Sequence, residues 1–355
     1  MKIKLGIIEN DVAYLNRIVS VFTAKYSDKI EIYSFTDVST ALPALAGSKI
    51  DVVVVSDALE INLSLIPKRC GVAYFVDSTD VEMFNNLPTV CRFQKADLIY
   101  RQILSIYSEH AGSFTELKMT DDNCKVIEFA SPSGGVGVST MAAACAVHLA
   151  AKGFRTLYLN VERFGSSDDF FSGDGQFSMS DVIYSLKTRK ANLAMKLESC
   201  VKHDPRGVCF FSQAKLALDM MELTIDEILR LISELRLTGS YDRIILDTEF
   251  GLSKNDLKIL HQANTVVLVG DGSTISNTKV FRATTALAMK EQAEESPLLG
   301  RTVLVYNKFS SKTSEALNNL EIRVVGGAPR YEHATVDQVV TQLSKMAVFD
   351  EIDKI

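Results

Sequence analysis

The sequence predicts an α/β protein built from two doubly wound parallel-sheet domains, and three observations support this prediction. The chain has 355 residues, too many for one ordinary domain and a comfortable number for two. Short apolar runs typical of buried strands alternate with helical patterns along most of the chain. The alternation lapses in the polar stretch 108–123. We therefore predict a first domain at 1–110, a linker at 111–123 and a second domain at 124–355.

The composition excludes several classes of protein. Hydrophobic residues make up 47% of the chain and charged residues 23%, the balance of packed globular proteins. The net charge of −6 argues against a general attraction to nucleic acid or anionic lipid. The six cysteines include no CxxC pair, so we expect neither a zinc site nor disulfides but a reduced, cytoplasmic environment. No apolar stretch approaches the roughly 20 residues of a membrane span, and the N-terminus lacks the pattern of a signal peptide.

The first domain contains five apolar segments that we predict as strands. Helical patterns separate them, and those at Val12–Phe22 and Leu98–Tyr107 are the clearest. Unbroken apolar strands between helices are typical of a parallel sheet that is covered on both faces. The predicted strands are Leu5–Ile8, Ile30–Tyr33, Val52–Val55, Val72–Val76 and Val90–Phe93.

Polar residues follow three of these strands. Glu9 and Asn10 follow the first strand, Ser56 lies at the end of the third, and Lys95 follows the fifth. This arrangement resembles a flavodoxin-like response-regulator receiver domain, in which an acidic pair, a phosphorylatable Asp and a Lys occupy these places. Ser56 replaces the Asp, and Asp57 is expected to face the other side of the sheet. The resemblance implies a receiver-shaped docking or dimerisation module; phosphotransfer and ordinary solvated loop ends are the alternatives.

The second domain repeats the alternation on a larger scale. An apolar run at Val126–Ala130 precedes a glycine-rich loop and a helix predicted at Met141–Lys152. Thr224 and Glu227 predict a capping box at the start of another helix, which Gly239 ends. In a doubly wound sheet of this kind, ligands bind at the carboxyl ends of the strands. Further strands are predicted at Thr156–Leu159, Val208–Phe211, Arg243–Leu246, Thr265–Val269, Thr302–Tyr306 and Ile322–Val325.

The loop 131–140, with the sequence SPSGGVGVST, has the features of a phosphate-binding loop. Its small residues let backbone N–H groups surround phosphates, and the following helix N-terminus adds unsatisfied donors. In the pattern GxxxxGK[ST], Gly137 and Ser139 fit, but Pro132 replaces the first glycine and Val138 the lysine. The predicted nucleotide-binding residues of the loop are Ser133, Gly134, Gly135, Val136, Gly137, Val138, Ser139 and Thr140.

Two later strands end in side chains that a magnesium–nucleotide site requires. Asn160 and Glu162 follow the strand after the loop's helix, and Asp247 ends the apolar strand RIILD as a Walker B acid does. We predict that the Ser139 hydroxyl binds Mg²⁺ and that Asp247 holds the ion through water. Glu162 is the candidate catalytic residue, because a carboxylate at this place can orient a nucleophilic water.

These segments resemble the deviant Walker A ATPases of the MinD/ParA group, which have a KGGxGK[ST] loop and a strand ending in DxD. In this chain Ser133 stands at the signature Lys, Val138 at the P-loop Lys and Asn160 at the first Asp of DxD. The resemblance implies a P-loop NTPase fold with ATP and Mg²⁺ as cofactors. Glu162 stands at the second Asp of DxD, and Asn160 and Glu162 are both predicted nucleotide-binding residues.

Three later segments extend the resemblance to this group. Asn307, in VLVYNKF, falls at the position of the adenine-reading Asn. GGAPR at 326–330 matches the segment that closes over the base, which implies contacts from Pro329 and Arg330. The segment 271–273 matches a phosphate-side loop.

The chain has a receiver-like domain followed by a MinD-like domain in which neither lysine is present. This order resembles that of the TadZ/CpaE proteins of tight-adherence (Flp-type) pilus assembly. The segments MSDVIYSLK, VYNKF and GGAPRYEHAT carry this resemblance. It implies a homodimer formed through the ATPase domain, partners among the other pilus and secretion proteins, and a location at a cell pole.

The loss of both lysines favours binding of ATP with little turnover. A charge-assisted contact with phosphate contributes roughly 1.5–3 kcal/mol, so its loss weakens binding by about ten- to a hundred-fold. The rate of hydrolysis should fall more than the affinity does, because a cation facing the developing charge acts mainly in the transition state. We expect an ATP-bound scaffold with weak or no hydrolysis. The alternatives are an active ATPase cycling on membrane or DNA, a nucleotide-free scaffold and, third, a phosphorylation-controlled regulator.

The C-terminal segment has an apolar stripe at helical spacing. Membrane-targeting helices carry basic residues beside such a stripe, whereas here acidic residues predominate, so we predict a helix that covers the core. The basic cluster Lys187, Arg189 and Lys190 is predicted to be a solvated helix face rather than a DNA-binding patch. The stripe consists of Val336, Val339, Val340, Leu343, Met346 and Phe349.

Overall fold

The computed structural model describes residues 2–110, 123–188, 192–294 and 297–355. The predicted linker lies outside the described residues except for Asn123, and so do Arg189 and Lys190 of the basic cluster. Strands β1 to β14 are, in chain order, Ile3–Ile8, Ile30–Phe35, Val52–Ser56, Gly71–Val76, Met83–Phe84, Leu87–Cys91, Lys125–Ala130, Thr156–Asn160, Lys202–His203, Val208–Phe210, Arg243–Asp247, Thr265–Gly270, Thr302–Phe309 and Arg323–Pro329. Helices α1 to α13 are Val12–Tyr26, Val38–Gly47, Ala96–His110, Val138–Ala151, Ser167–Phe170, Met179–Lys187, Leu193–Cys200, Ala217–Met221, Ile225–Leu237, Lys254–Leu260, Thr274–Glu294, Val336–Leu343 and Val348–Asp353.

The chain divides into two compact units. The first consists of Met1–Glu116 together with Thr188–Cys200, and the second of Leu117–Lys187 together with Val201–Ile355. Helix α7 therefore belongs to the first unit although it lies within the second predicted domain by sequence.

The first unit contains a six-stranded sheet in the order β2-β1-β3-β4-β6-β5. The strands pair in parallel except β5, which forms an antiparallel hairpin with β6. Helices α1 and α3 pack on one face of the sheet against Val52 and Val54, while α2 packs on the other face against Val53 and Val55. This alternation explains why β3 is apolar at every position before Ser56. The predicted parallel sheet with helices on both faces is confirmed.

Helix α7 packs against α3 within the first unit. The Lys196 amino group donates a hydrogen bond to the Ser105 hydroxyl at 2.7 Å, and both side chains are buried. Lys29 forms an ion pair with Glu198 at 2.7 Å, and Met195 packs against the same apolar core as α1 and α3. The first unit is therefore completed by a segment that lies far along the chain.

The second unit contains an eight-stranded sheet in the order β14-β13-β12-β7-β11-β8-β10-β9. The strands pair in parallel except β9, which is antiparallel to β10. Helix α4 is buried from Met141 to Leu149, because its run of alanines allows close packing against the sheet. The predicted capping box of Thr224 and Glu227 is confirmed at the start of α9. The second unit is thus a doubly wound sheet, as predicted, and its strand order places β7 near the centre.

The C-terminal stripe lies on two short helices, α12 and α13, rather than on one. Val340, Leu343 and Phe349 are fully buried in the core of the second unit, which confirms the predicted core-covering role. Val336 differs from the prediction, because 47% of its surface is exposed at the start of α12. Across the described ranges, no helix has the length and apolarity needed to span a bilayer.

Candidate functional site

The glycine loop connects the carboxyl end of β7 to the start of α4. Gly135 and Gly137 have φ angles of 78° and 88°, a left-handed region in which other residues are strained. The Ser131 hydroxyl anchors the start of the loop by donating to the Val269 carbonyl at 2.6 Å and accepting from the Ser133 N–H at 3.0 Å. Helix α4 begins at Val138, three residues before the predicted start, because Gly137 turns the chain directly into the helix.

The two positions where related loops carry lysine have different environments. Val138 is partly buried and packs against the hydrophobic core beneath the loop. Ser133 is buried, and within the described residues its hydroxyl has no hydrogen-bond partner. Neither side chain brings positive charge to the loop. Gly134 and Gly135 are exposed, and a Cβ added at either of them would meet open space.

Four of the predicted site residues lie together at the carboxyl ends of β8 and β11. The Ser139 hydroxyl, in the first turn of α4, is 3.3 Å from the Glu162 carboxylate. The Asn160 side-chain amide donates to Glu162 at 3.2 Å and to Asp247 at 3.0 Å. The structure therefore brings the loop helix, the DxD-like pair and the Walker B position into one hydrogen-bonded cluster. Thr140 is partly exposed in the same helical turn as Ser139.

Asp247 is fully buried and is held by a residue that the sequence analysis missed. The Tyr158 hydroxyl donates to one Asp247 oxygen, Oδ2, at 2.6 Å. Burial, and next the charge of Glu162, raise the pKa of Asp247 to about 7. The other oxygen, Oδ1, has no hydrogen-bond partner among the described residues. Tyr158 lies two residues before Asn160 on β8, so the period-2 pattern places both side chains on one face.

Magnesium is the ion that the fold implies, and the donors in this cluster fit it. Mg²⁺ prefers oxygen ligands, usually retains several waters and binds one or two carboxylates in addition to phosphate. Ser139 supplies a hydroxyl, and Asp247 supplies a buried carboxylate oxygen that has no hydrogen-bond partner among the described residues. In the described part of the chain, no group of three or more His, Cys, Asp or Glu residues forms a metal site of its own. The residues therefore suit an ion that arrives with a nucleotide.

The Glu162 segment is fixed by Asn160 and by a glycine. The Glu162 N–H donates to the Asn160 side-chain oxygen at 2.9 Å. A Cβ on Gly165 would lie 2.3 Å from that oxygen, so the turn back toward Asn160 requires glycine. Beyond Glu162, 73% of the Phe164 surface is exposed at the rim of an open pocket of about 250 Å³. Apolar side chains dominate the rest of the pocket wall: Met179, Phe211, Ala214, Ala217 and Met220.

Asn307 and Lys308 contact the glycine loop from β13. The Asn307 side-chain amide donates to the Val136 carbonyl at 2.9 Å, and the Lys308 amino group donates to the Gly135 carbonyl at 2.7 Å. Gly137 must remain glycine here, because an added Cβ would lie 2.5 Å from the Asn307 amide nitrogen. The sequence analysis assigned Asn307 to the adenine and missed Lys308, although the two residues are adjacent.

The other residues predicted around the base lie at the sheet edge. Pro329 ends β14, pairs with Phe309 of β13 and, like Arg330, is exposed. Strands β13 and β12 separate β14 from β7. Asp271 accepts hydrogen bonds from the Ser273 N–H and hydroxyl at 2.9 and 2.7 Å, which shapes the loop after β12. The contacts of these residues with a base remain predictions.

The first unit has its own polar cluster, centred on Arg92, which follows β6. The guanidinium donates to Glu9 at 3.1 Å, to the Ser56 hydroxyl at 2.8 Å, to Asp57 at 2.7 Å and to Asp77 at 2.5 Å. Burial tends to lower the pKa of this guanidinium, but its hydrogen bonds to the three carboxylates outweigh burial and raise it. The sequence analysis did not identify Arg92.

Three further residues of the receiver resemblance lie at the ends of the strands or just after them: Asp57, Asn10 and Lys95. The prediction that Asp57 faces away from Ser56 is wrong, because β3 ends at Ser56 and the chain turns before the alternation continues. Asn10 accepts a hydrogen bond from the Ser56 hydroxyl at 3.3 Å, so the end of β1 does lie beside the end of β3. Lys95 is exposed immediately before α3.

Known proteins resemble the two parts of the chain separately. Residues 1–108 match the family model described as TadZ-like, receiver domain. A ParA family ATPase from Chlorobium tepidum TLS is 20% identical, with a TM-score of 0.51, and the match covers 65% of this chain and 98% of that one. MinD in the MinC:MinD cell division complex of Aquifex aeolicus has 16% identity, a TM-score of 0.49 and coverages of 65% and 95%. MinD complexed with Mg-ADP from Pyrococcus horikoshii OT3 has 17% identity, a TM-score of 0.48 and coverages of 65% and 96%.

No curated protein matches this sequence. The likeness to the Chlorobium ATPase concerns the fold, and the family match concerns the first 108 residues. Residues 1–108 are therefore similar to the TadZ-like receiver domain, and the second unit has the fold of the Chlorobium ParA family ATPase, in agreement with the fold that the sequence predicts.

Proposed function

We propose that this protein is an ATP-binding, dimerising scaffold of tight-adherence pilus assembly that hydrolyses ATP weakly or not at all. The observation that carries the proposal is the cluster joining the glycine loop to Glu162 and Asp247 through Ser139. A loop that served only as a tight turn would not need a buried, unpartnered carboxylate oxygen beside its helix. The cluster has oxygen ligands for Mg²⁺, and the N–H groups of the adjoining loop are the donors for the phosphates of a nucleotide.

We propose weak hydrolysis because the loop lacks a cation that could stabilise the negative charge that develops on the phosphates in the transition state. Val138 packs into the core and Ser133 is buried, so neither can replace the lysines of related loops. Backbone N–H groups and Mg²⁺ are sufficient to hold the phosphates, whereas transition-state stabilisation depends more strongly on a mobile cation. The proposed state is therefore an ATP complex of long lifetime.

Calorimetry of the full chain with ATP and MgCl₂ tests this proposal. We expect binding with a Kd between micromolar and millimolar, together with phosphate release far below one per minute. Absence of binding at millimolar ATP would instead support the nucleotide-free scaffold. Ordinary turnover that disappears in the Glu162→Ala variant would support the active ATPase that cycles on membrane or DNA.

The proposed homodimer has support from the surface beside Glu162. Phe164 lies two residues further along and is largely exposed, as are Leu216 and Leu218 next to the pocket of about 250 Å³. Exposed apolar groups of this kind favour burial against a partner. Because Phe164 is only two residues from Glu162, we expect a nucleotide bound at Glu162 to affect that burial. Sedimentation of the chain with and without Mg-ATP tests the dimer. We expect Phe164→Ala to weaken an ATP-dependent dimer, whereas Phe281→Ala, an exposed residue of α11, leaves it intact.

The receiver domain is proposed to dock partners from the pilus machinery at a cell pole. The match of residues 1–108 to the TadZ-like receiver model supports this assignment. The cluster around Arg92 leaves Ser56 fully buried, which favours docking over phosphotransfer. A fluorescent fusion imaged in cells that assemble such pili tests the location, and a uniform cytoplasmic distribution would contradict it.

A further inference from the structure

The glycine loop is held from outside by two adjacent residues of β13. Asn307 is buried and binds the Val136 carbonyl, while Lys308 is exposed and binds the Gly135 carbonyl. Lys308 has a φ angle of 54°, a left-handed conformation that is uncommon for residues other than glycine. Such a conformation costs free energy and persists where surrounding contacts maintain it. Lys308 lies where the register between β13 and β14 shifts, between Tyr306 and Phe309, and its side chain leaves the strand there toward Gly135.

These contacts determine where the loop's N–H groups point. In a trans peptide the C=O and the following N–H point in opposite directions. Because the Gly135 and Val136 carbonyls are directed at Lys308 and Asn307, the N–H groups of Val136 and Gly137 are directed to the other side of the loop. That arrangement matches the N–H cradle that a phosphate-binding loop needs.

We propose that Lys308 is a positioning residue for phosphate binding, which orients the N–H groups of the loop and adds positive charge behind it. The proposal rests on the proposed nucleotide site and extends it to a residue outside the loop. An ammonium group has three N–H donors and a positive charge, so its bond to Gly135 also polarises the adjoining peptide toward an anion. Lys308 thus compensates in part for the lysines that Ser133 and Val138 replace.

Calorimetry with ATP, ADP and adenosine on three variants tests the proposal. We expect Lys308→Met, which keeps the length of the side chain but cannot donate, to weaken ATP and ADP binding about tenfold and to leave adenosine binding unchanged. Lys308→Arg should retain most of the affinity, because it still donates and carries charge. Lys258→Met, at an exposed lysine paired with Asp226 on another helix, is the matched control and should bind like the wild type. Equal losses for adenosine and ATP, or no loss at all, would overturn the proposal.

Hydrogen exchange separates failure of this inference from failure of the proposed function. We expect the amides of residues 134–138 to exchange at least several-fold faster in Lys308→Met than in the wild type without any nucleotide, and the Lys258→Met rates to be unchanged. If the wild type binds no ATP but the loop still exchanges faster in Lys308→Met, the nucleotide site is wrong and the positioning role stands. Unchanged exchange together with unchanged ATP affinity would contradict the role of Lys308.

Discussion

The Arg92 guanidinium donates a hydrogen bond to the Ser56 hydroxyl at 2.8 Å, at the place where a phosphorylatable receiver has its Asp. The same guanidinium binds Glu9, of which 1% is exposed, and two further carboxylates. The first unit therefore places the cation of Arg92 among Ser56 and three carboxylates at the carboxyl ends of its strands.

Removal of that guanidinium should destabilise the first unit strongly. We expect Arg92→Ala to lower the free energy of unfolding by roughly 3–5 kcal/mol, because Glu9 would remain buried without its partner. Lys29→Ala breaks the half-exposed Lys29–Glu198 pair in the same unit and should cost less than about 1 kcal/mol. Urea denaturation of the two variants measures the difference. Equal losses in the free energy of unfolding would show that the buried Arg92–Glu9 pair stabilises the protein no more than the half-exposed Lys29–Glu198 pair.

Restoring a lysine at the helix start should strengthen the nucleotide site. In Val138→Lys, the aliphatic stem can cover the apolar surface that Val138 covers while the amino group reaches the phosphates. We expect about tenfold tighter ATP binding, measured by calorimetry, and measurable phosphate release. Val138→Met adds a similar length without charge and should change neither property. No gain in affinity or turnover from the lysine would mean that its loss does not limit the site.

Replacing Asn160 by Asp should make stability depend on Mg²⁺. The substitution removes an amide that donates to Glu162 and Asp247 and places a third carboxylate beside them. We expect a lower melting temperature without divalent ions and recovery of several degrees with MgCl₂. Asn264→Asp is the control, because it keeps the oxygen that accepts from the Val126 N–H. The melting temperature of Asn264→Asp should respond to MgCl₂ as that of the wild type does. If Asn160→Asp also responded like the wild type, the prediction would be contradicted.

The buried Glu128 should make the second unit less stable as the pH rises. Burial raises its pKa from 4.5 to about 7, although Thr248, through a hydrogen bond at 2.8 Å, and Arg301, through its charge, favour ionisation. Between these values the unfolded chain holds fewer protons at this residue, so its contribution to the free energy of unfolding falls by about 1.4 kcal/mol per pH unit. Glu128→Gln keeps an acceptor for Thr248 and stays neutral. We therefore expect it to be more stable than the wild type by up to about 3 kcal/mol at pH 8.

Urea denaturation of both proteins at pH 5 and pH 8 checks this expectation. The advantage of the variant should be below about 1 kcal/mol at pH 5, because pH 5 lies only about half a unit above the ordinary pKa of 4.5 and little of the pH-dependent loss has accumulated. An advantage that does not change with pH would mean that ionisation of Glu128 has no part in it.

The sequence predicts the strands and the loop well because these depend on local patterns. Apolar runs identify the buried strands, and the order of glycine loop, Glu162 and Asp247 along the chain is enough to place them at one sheet edge. The Thr224 capping box is equally local. Patterns of this kind do not require knowledge of which distant side chains meet.

The missed features all depend on contacts between distant residues. Arg92 follows β6 yet contacts residues at the ends of β1 and β3. Lys308 contacts Gly135, which lies 173 residues earlier in the chain. The error at Asp57 came from extending a strand by one residue, which reverses the expected side. A basic residue beside a predicted acidic or phosphate site was the available indication for Arg92 and Lys308. For Tyr158 the indication was its position two residues before Asn160 on the same strand.

The placement of α7 has a consequence for how this protein can be cut and recombined. The first unit needs both Met1–Glu116 and Thr188–Cys200, so no single break in the chain releases it whole. A fragment ending at residue 116 would expose the buried Ser105 and the α3 surface that α7 covers. Exchanging the receiver domain for that of a relative would therefore require grafting two separate stretches, with Lys196 and its partners kept as a set.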